Sequence, residues 1–112
     1  MHELSLAENA VALIEDAARR EGFSRARVIR FEVGALSCVE PQALRFALES
    51  ATCGSCAEGA RIEIIHQPGA GECRSCGQRC TMATRYELCP HCGAALEATQ
   101  GTALRIRDLE VE

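Results

Sequence analysis

The sequence predicts an α+β protein of two helices and three strands, with a small cysteine-rich module inserted before the last strand. Three observations predict this. Two segments place apolar residues at helical spacing. Three short segments alternate apolar and polar residues as strands do. Two Cys-x-x-Cys-Gly motifs stand between the second and third of those strands.

Residues 4–22 read as the first helix. Ser5 with Glu8 three residues on is a capping-box pattern, and Gly22 is a natural stop. Leu6, Ala10, Leu13 and Ala17 follow helical spacing, and Val11, Ile14 and Ala18 widen the stripe. From Arg25 to Val33 the chain alternates, with Arg27, Ile29, Phe31 and Val33 on one face, and this is the first strand. Gly34 to Val39 is a turn. Pro41 suits the first turn of a second helix, which runs to about Ala51 and buries Leu44, Ala47, Leu48 and Ala51. Residues 60–66 form the second strand. The stretch 67–71, rich in Gly and Pro, reads as a break between modules. Thr102 to Val111 is the third strand, and its alternation slips one register near Asp108, as at a bulge. That strand returns to the first sheet, which makes the cysteine module an insertion. The domain division is therefore 1–68 plus 101–112 for the α/β part and 69–100 for the module.

Composition narrows the class. The chain has 112 residues, enough for one domain or a small domain with an appendage. Aromatics are 4% and Trp is absent, so the apolar core is thin. Such domains often need a metal or disulfide staple. Eight Cys would suit a secreted disulfide framework, but the start of the chain has no basic, then apolar, signal pattern. No apolar run approaches the roughly 20 residues of a membrane span. Cys-x-x-Cys pairs suit metal binding in a reducing compartment. The reading is a soluble, cytoplasmic protein. A formal net charge of −4 points away from nucleic acid and toward a protein or metal partner.

Cys73, Cys76, Cys89 and Cys92 carry the first chemistry. Twelve residues separate Cys76 of the first Cys-x-x-Cys-Gly knuckle from Cys89 of the second. Each tight turn brings two sulfurs close, and the following glycine lets amides donate to the thiolates. Two facing turns make a tetrahedral four-sulfur site, with zinc as its default occupant and iron as the alternative. Protein fills all four positions, so no open position is left for catalysis. His91, inside the second knuckle, and His66, at a strand end, read as solvated side chains.

The N-terminus carries the second. The chain opens Met1-His2-Glu3. A bulky second residue disfavours removal of the initiator methionine. The Met1 amine, the His2 amide and the His2 imidazole can then chelate one ion in fused rings, with the Glu3 amide or another donor completing the set. Square-planar nitrogen geometry suits Ni(II) or Cu(II).

With both features in view, the sequence resembles the HypA/HybF family of hydrogenase maturation factors. The stretches that carry the resemblance are Met1-His2-Glu3-Leu4-Ser5, residues 31–36, Val39-Glu40-Pro41 with residues 43–46, residues 57–60, both knuckles and Leu109-Glu110-Val111-Glu112. The resemblance implies a nickel metallochaperone in two parts. One is a nickel domain of two helices on a three-stranded sheet. The other is a zinc-ribbon-like domain inserted before its last strand. It implies that Met1, His2 and Glu3 hold Ni(II) as transient cargo, while Cys73, Cys76, Cys89 and Cys92 hold structural Zn(II). It further implies delivery to the large subunit of [NiFe]-hydrogenase beside a HypB-type GTPase, with urease also served by some members. It implies no enzyme activity and no nucleic-acid or membrane partner, in a monomer or weak homodimer.

Four cysteines depart from the family pattern. Cys53 and Cys56 form an extra Cys-x-x-Cys after the second helix, where a helix N-terminus cannot lower a thiol pKa. They read as packing, a labile disulfide or accessory ligands. Cys80 reads as a small apolar filler near the module, and Cys38 lies in a turn. Two rivals remain open at this level. One is a zinc ribbon that binds nucleic acid or protein, and the other is a thiol-redox protein using Cys53 and Cys56.

Overall fold

The computed structural model describes residues 2–112. It contains α1 (Glu3–Glu21), β1 (Ala26–Gly34), α2 (Pro41–Ala51), β2 (Arg61–Gln67), β3 (Gly69–Cys73), β4 (Arg79–Met82), β5 (Leu96–Gln100) and β6 (Leu104–Val111). Two three-stranded sheets form, ordered β2-β1-β6 and β4-β3-β5. The fold is therefore two helices on a three-stranded sheet, with the knuckles and a second small sheet between β2 and β6.

The chain divides into two units. The first takes the residues through Phe31, then Val39–Ile65 and Arg105–Glu112; the second takes Glu32–Cys38 and His66–Leu104. In the first unit, α1 packs on α2. Its core is drawn from both helices and the sheet: Ala7, Ala10, Ile14, Ile29, Phe31, Leu44, Leu48 and Ile62 are buried. Burial of the Ile, Leu and Phe side chains among them contributes roughly 1.5–3 kcal/mol each.

α1 differs from its expected form at its start and on its buried face. Its N-cap is His2, with left-handed φ of 60° and no side-chain cap, so the Ser5–Glu8 capping box is not used. Ser5 already lies inside the helix. The start is held instead from another element, since the Glu40 amide donates to Glu3 Oε2 at 3.2 Å. The buried stripe follows Ala7, Ala10 and Ile14, while Leu13 is 63% exposed. α2 begins and ends where expected. Glu40 caps it by accepting from the Ala43 amide at 2.6 Å.

β1 is the central strand of its sheet, and Arg30 uses that position. Its guanidinium reaches Glu63 on β2 at 2.9 Å and Asp108 on β6 at 2.8 Å, and it also pairs with Glu110. Arg30 holds the Glu63 carboxyl below the usual carboxylate range. A lowered folded value stabilises fully above the unfolded pKa, about 4.3 for Glu. It is lost as pH falls through the lower folded value. Arg30→Gln is therefore expected to flatten the acid limb of the stability profile below that pH, as read by urea midpoints across a pH series. An acid limb of unchanged slope would refute this.

In the second unit, the expected break at 67–71 is mostly strand. β3 pairs antiparallel with β4 and with β5. The glycines serve close approach there. A methyl at Gly69 would strike the Met82 carbonyl, and one at Gly71 would strike Met82 Sδ. β4 and β5 are too short and too polar to show in sequence patterning.

Backbone also meets backbone at Gly34 and Gly101. The Gly34 amide donates to Ala103 O at 2.9 Å, and the Leu36 amide donates to Gly101 O at 2.8 Å. A methyl on Gly34 would collide with the carbonyl of Gly101. Backbone cannot swing aside as a side chain can. Gly34→Ala is thus expected to cost about 3 kcal/mol, seen as a lower urea midpoint. A loss of less than ~0.5 kcal/mol, the range of ordinary surface substitutions, would contradict this packing.

Candidate metal centre

The two knuckles fold by the same backbone bonds. In the first, the Gly77 amide donates to Cys73 O and the Cys73 amide to Gln78 O, both at 2.9 Å. In the second, the Gly93 amide donates to Cys89 O and the Cys89 amide to Ala94 O, both at 2.8 Å. Each turn needs a residue with positive φ, supplied by Gly77 at 76° and Gly93 at 78°. A β-bridge between Leu88 and Ala95 closes the base of the second knuckle.

These turns bring Cys73, Cys76, Cys89 and Cys92 together. Their sulfurs all lie within 4.8 Å of one another. Across the knuckles, Cys73 Sγ is 3.4 Å from Cys92 Sγ and Cys76 Sγ is 3.8 Å from Cys89 Sγ. A tetrahedron with metal–sulfur bonds near 2.3 Å has edges of about 3.8 Å. The sulfur set fits such an ion. Cys73 and Cys89 are buried, whereas Cys76 and Cys92 are exposed.

Charge supports the same reading. The Cys76 amide donates to Cys73 Sγ at 3.4 Å and, as the largest effect, draws that thiol down to about 6. The Gln78 amide draws Cys76 down, but Cys73, burial and Cys89 together push it up to about 12. Thiols packed this closely cannot all ionise alone. A central divalent cation removes that conflict.

The N-terminal residues are only partly in view. Met1 lies outside the described residues. His2 is exposed and its carbonyl accepts the first helical bond, from the Leu6 amide at 3.0 Å. The leading N–H groups of a helix have no intrahelical acceptor, so backbone nitrogen at this end is not committed to the helix ladder. Glu3 is half-buried and engages the Glu40 amide. Sequence reasoning assigned no role to Glu40, because the contact spans 37 positions.

The remaining cysteines are free thiols. Cys53 donates to Glu49 O at 3.4 Å, and the Cys56 amide donates to Glu15 Oε1 at 3.1 Å. Burial and then Glu15 push the Cys56 thiol up, the reverse of what a redox nucleophile needs. Arg74 is paired with Glu97 at 2.7 Å, and Arg85 donates to Leu36 O at 2.8 Å, so two of the second unit's three arginines are engaged within that unit.

A family model described as hydrogenase/urease nickel incorporation, metallochaperone, hypA matches residues 1–111. The chain belongs to the HypA family. The hydrogenase maturation factor HypA of Dechloromonas aromatica is 47% identical over 113 residues, with both chains covered in full. That of Azotobacter vinelandii is 45% identical over 113 residues, again with full coverage of both. The solution structure of the Ni metallochaperone HypA from Helicobacter pylori superposes with a TM-score of 0.75 at 24% identity, over 99% of this chain and 97% of that one. A second solution structure of a HypA protein gives a TM-score of 0.74 at 25% identity, over 100% and 97%. The HypA family is one of nickel-incorporation metallochaperones, and its fold is the one described above. No helix among the described residues is long and apolar enough to cross a membrane.

Proposed function

We propose that this chain binds Ni(II) through Met1, His2 and Glu3 and passes it on for maturation of [NiFe]-hydrogenase. Zn(II) held by Cys73, Cys76, Cys89 and Cys92 keeps the second unit folded. The observation that carries this reading is the exposed His2 at the head of α1, in a chain of a nickel-incorporation family. The receiving protein is the hydrogenase large subunit, with a HypB-type GTPase as working partner and urease as a further client. The setting is the cytoplasm.

The placement of the donors supports release as well as capture. His2 is exposed at the head of α1, so a partner can reach a bound ion without unfolding the first unit. Glu3, tied to the cap of α2, fixes where that end leaves the domain. Nickel binding displaces protons from its donors, so capture weakens in acid. Zinc supplies charge compensation to four thiolates. With every position taken by protein it offers no catalytic site. Nickel calorimetry on the untagged protein and on His2→Ala tests the reading. Equal affinity in the two would overturn it.

A further inference from the structure

The second unit carries a cleft that neither metal site uses. Two segments line it, the turn 35–38 after β1 and the loop 83–86 between β4 and the second knuckle. Its volume is about 210 Å³ and its walls are mostly apolar. Both segments are braced. The Leu36 amide donates to Gly101 O at 2.8 Å, and the Leu36 carbonyl accepts from Arg85 Nε at 2.8 Å. The Glu87 carboxylate accepts from the Ala83 amide and, at 2.7 Å, from the Thr84 amide. The cleft is therefore built before anything enters it.

Its rim points to an occupant. Arg85 is the only charged residue lining the cleft. Its Nε is committed to Leu36, and among the described residues no carboxylate takes its terminal nitrogens. A guanidinium held this way suits an incoming carboxylate. Beside it Tyr86 is 90% exposed, so its ring does not serve the core. Tyr and Arg are the residues that most often anchor protein interfaces. Size then separates the ligand classes. Small-molecule sites usually enclose about 300–1,000 Å³. This cleft falls short of that and suits one inserted side chain.

We propose that the cleft docks an extended segment of a partner protein, with an apolar side chain inside it and an adjoining carboxylate on Arg85. Tyr86 closes over the inserted group. The second unit thereby gains a role beyond holding its ion. This inference does not rest on the nickel site, and its failure leaves that reading untouched.

Tyr86 is the one tyrosine of a chain without Trp, so tyrosine fluorescence reports this position alone. The probes are three blocked pentapeptides with leucine, isoleucine or phenylalanine beside a glutamate, titrated into the zinc-loaded full chain. At least one is expected to change the emission saturably and to shift the amides of 35–38 and 83–86 in an NMR titration. Lysine in place of the peptide's glutamate should weaken binding at least ~10-fold. Tyr86→Ala, followed by NMR, should weaken it at least ~10-fold as well. That variant leaves the fold intact, because the ring it removes is exposed. Arg85 also braces Leu36, so the peptide's charge reversal tests the ion pair without disturbing the cleft. No saturable response to any of the three peptides overturns the proposal, as does equal binding of the lysine peptides. Equal affinity for isocaproate, a free carboxylate with an apolar tail, would make the cleft a small-molecule site and overturn it too. Shifts of the same amides with protein concentration alone would overturn it by making the occupant a second copy of this chain.

Discussion

Removing zinc with a strong chelator is expected to unfold the second unit and leave α1 and α2 folded. The second unit has little apolar burial to fall back on. Val33, Leu36 and Met82 are its buried apolar side chains besides Cys73 and Cys89. Its strands β3, β4 and β5 run five, four and five residues. Fixing a residue's backbone costs roughly 1–2 kcal/mol, which so few contacts cannot offset. Structural zinc supplies about 10–16 kcal/mol of apparent folding free energy in small domains. The first unit keeps its own core of Ile14, Ile29, Phe31, Leu44 and Leu48. Hydrogen exchange on the chelated protein is the measurement. Amides of residues 69–100 should lose protection while those of α1 and α2 keep it. Native-like protection across both knuckles would show that zinc is not what folds them.

The second large effect concerns the chain end. One extra residue before Met1 turns its amine into an amide and destroys the proposed chelate, while leaving every side chain in place. Nickel affinity should fall at least ~100-fold, or about 2.7 kcal/mol. His2→Ala should lose a similar amount by removing the imidazole. Neither change touches the core, because His2 is exposed and contributes no side-chain cap. The thermal midpoint should therefore stay put while nickel binding is lost. This contrast separates a lost ligand from a damaged fold. Retained affinity in the extended protein would mean that nickel binds elsewhere.

The elements that sequence revealed are those whose pattern repeats locally. α2 carries its proline, its cap and its stripe within one segment. β1 shows its alternation, and the knuckles carry their own glycines. What sequence hid depends on distant partners. α1 starts where Glu40 receives Glu3, not where a local capping box would put it. Its face is turned so that Leu13, which fits the spacing, lies in solvent. β3 was obscured by Gly69 and Gly71, residues that usually mark a break but here let strands close on one another. β4 was too short to register, and with it went the position of Cys80. The clustering of the four knuckle sulfurs was legible because Cys-x-x-Cys-Gly turns have a fixed local grammar.

Gly101 lies directly against Pro68 and Gly69. The two ends of the segment that runs out through β3 and back through β5 are thus neighbours. A segment with adjoining ends occupies a single gap in its host, whatever its length. The loop-closure cost grows only slowly with the residues enclosed. Lengthening or shortening the arm between Gly69 and Gly101 is therefore expected to leave that junction in place.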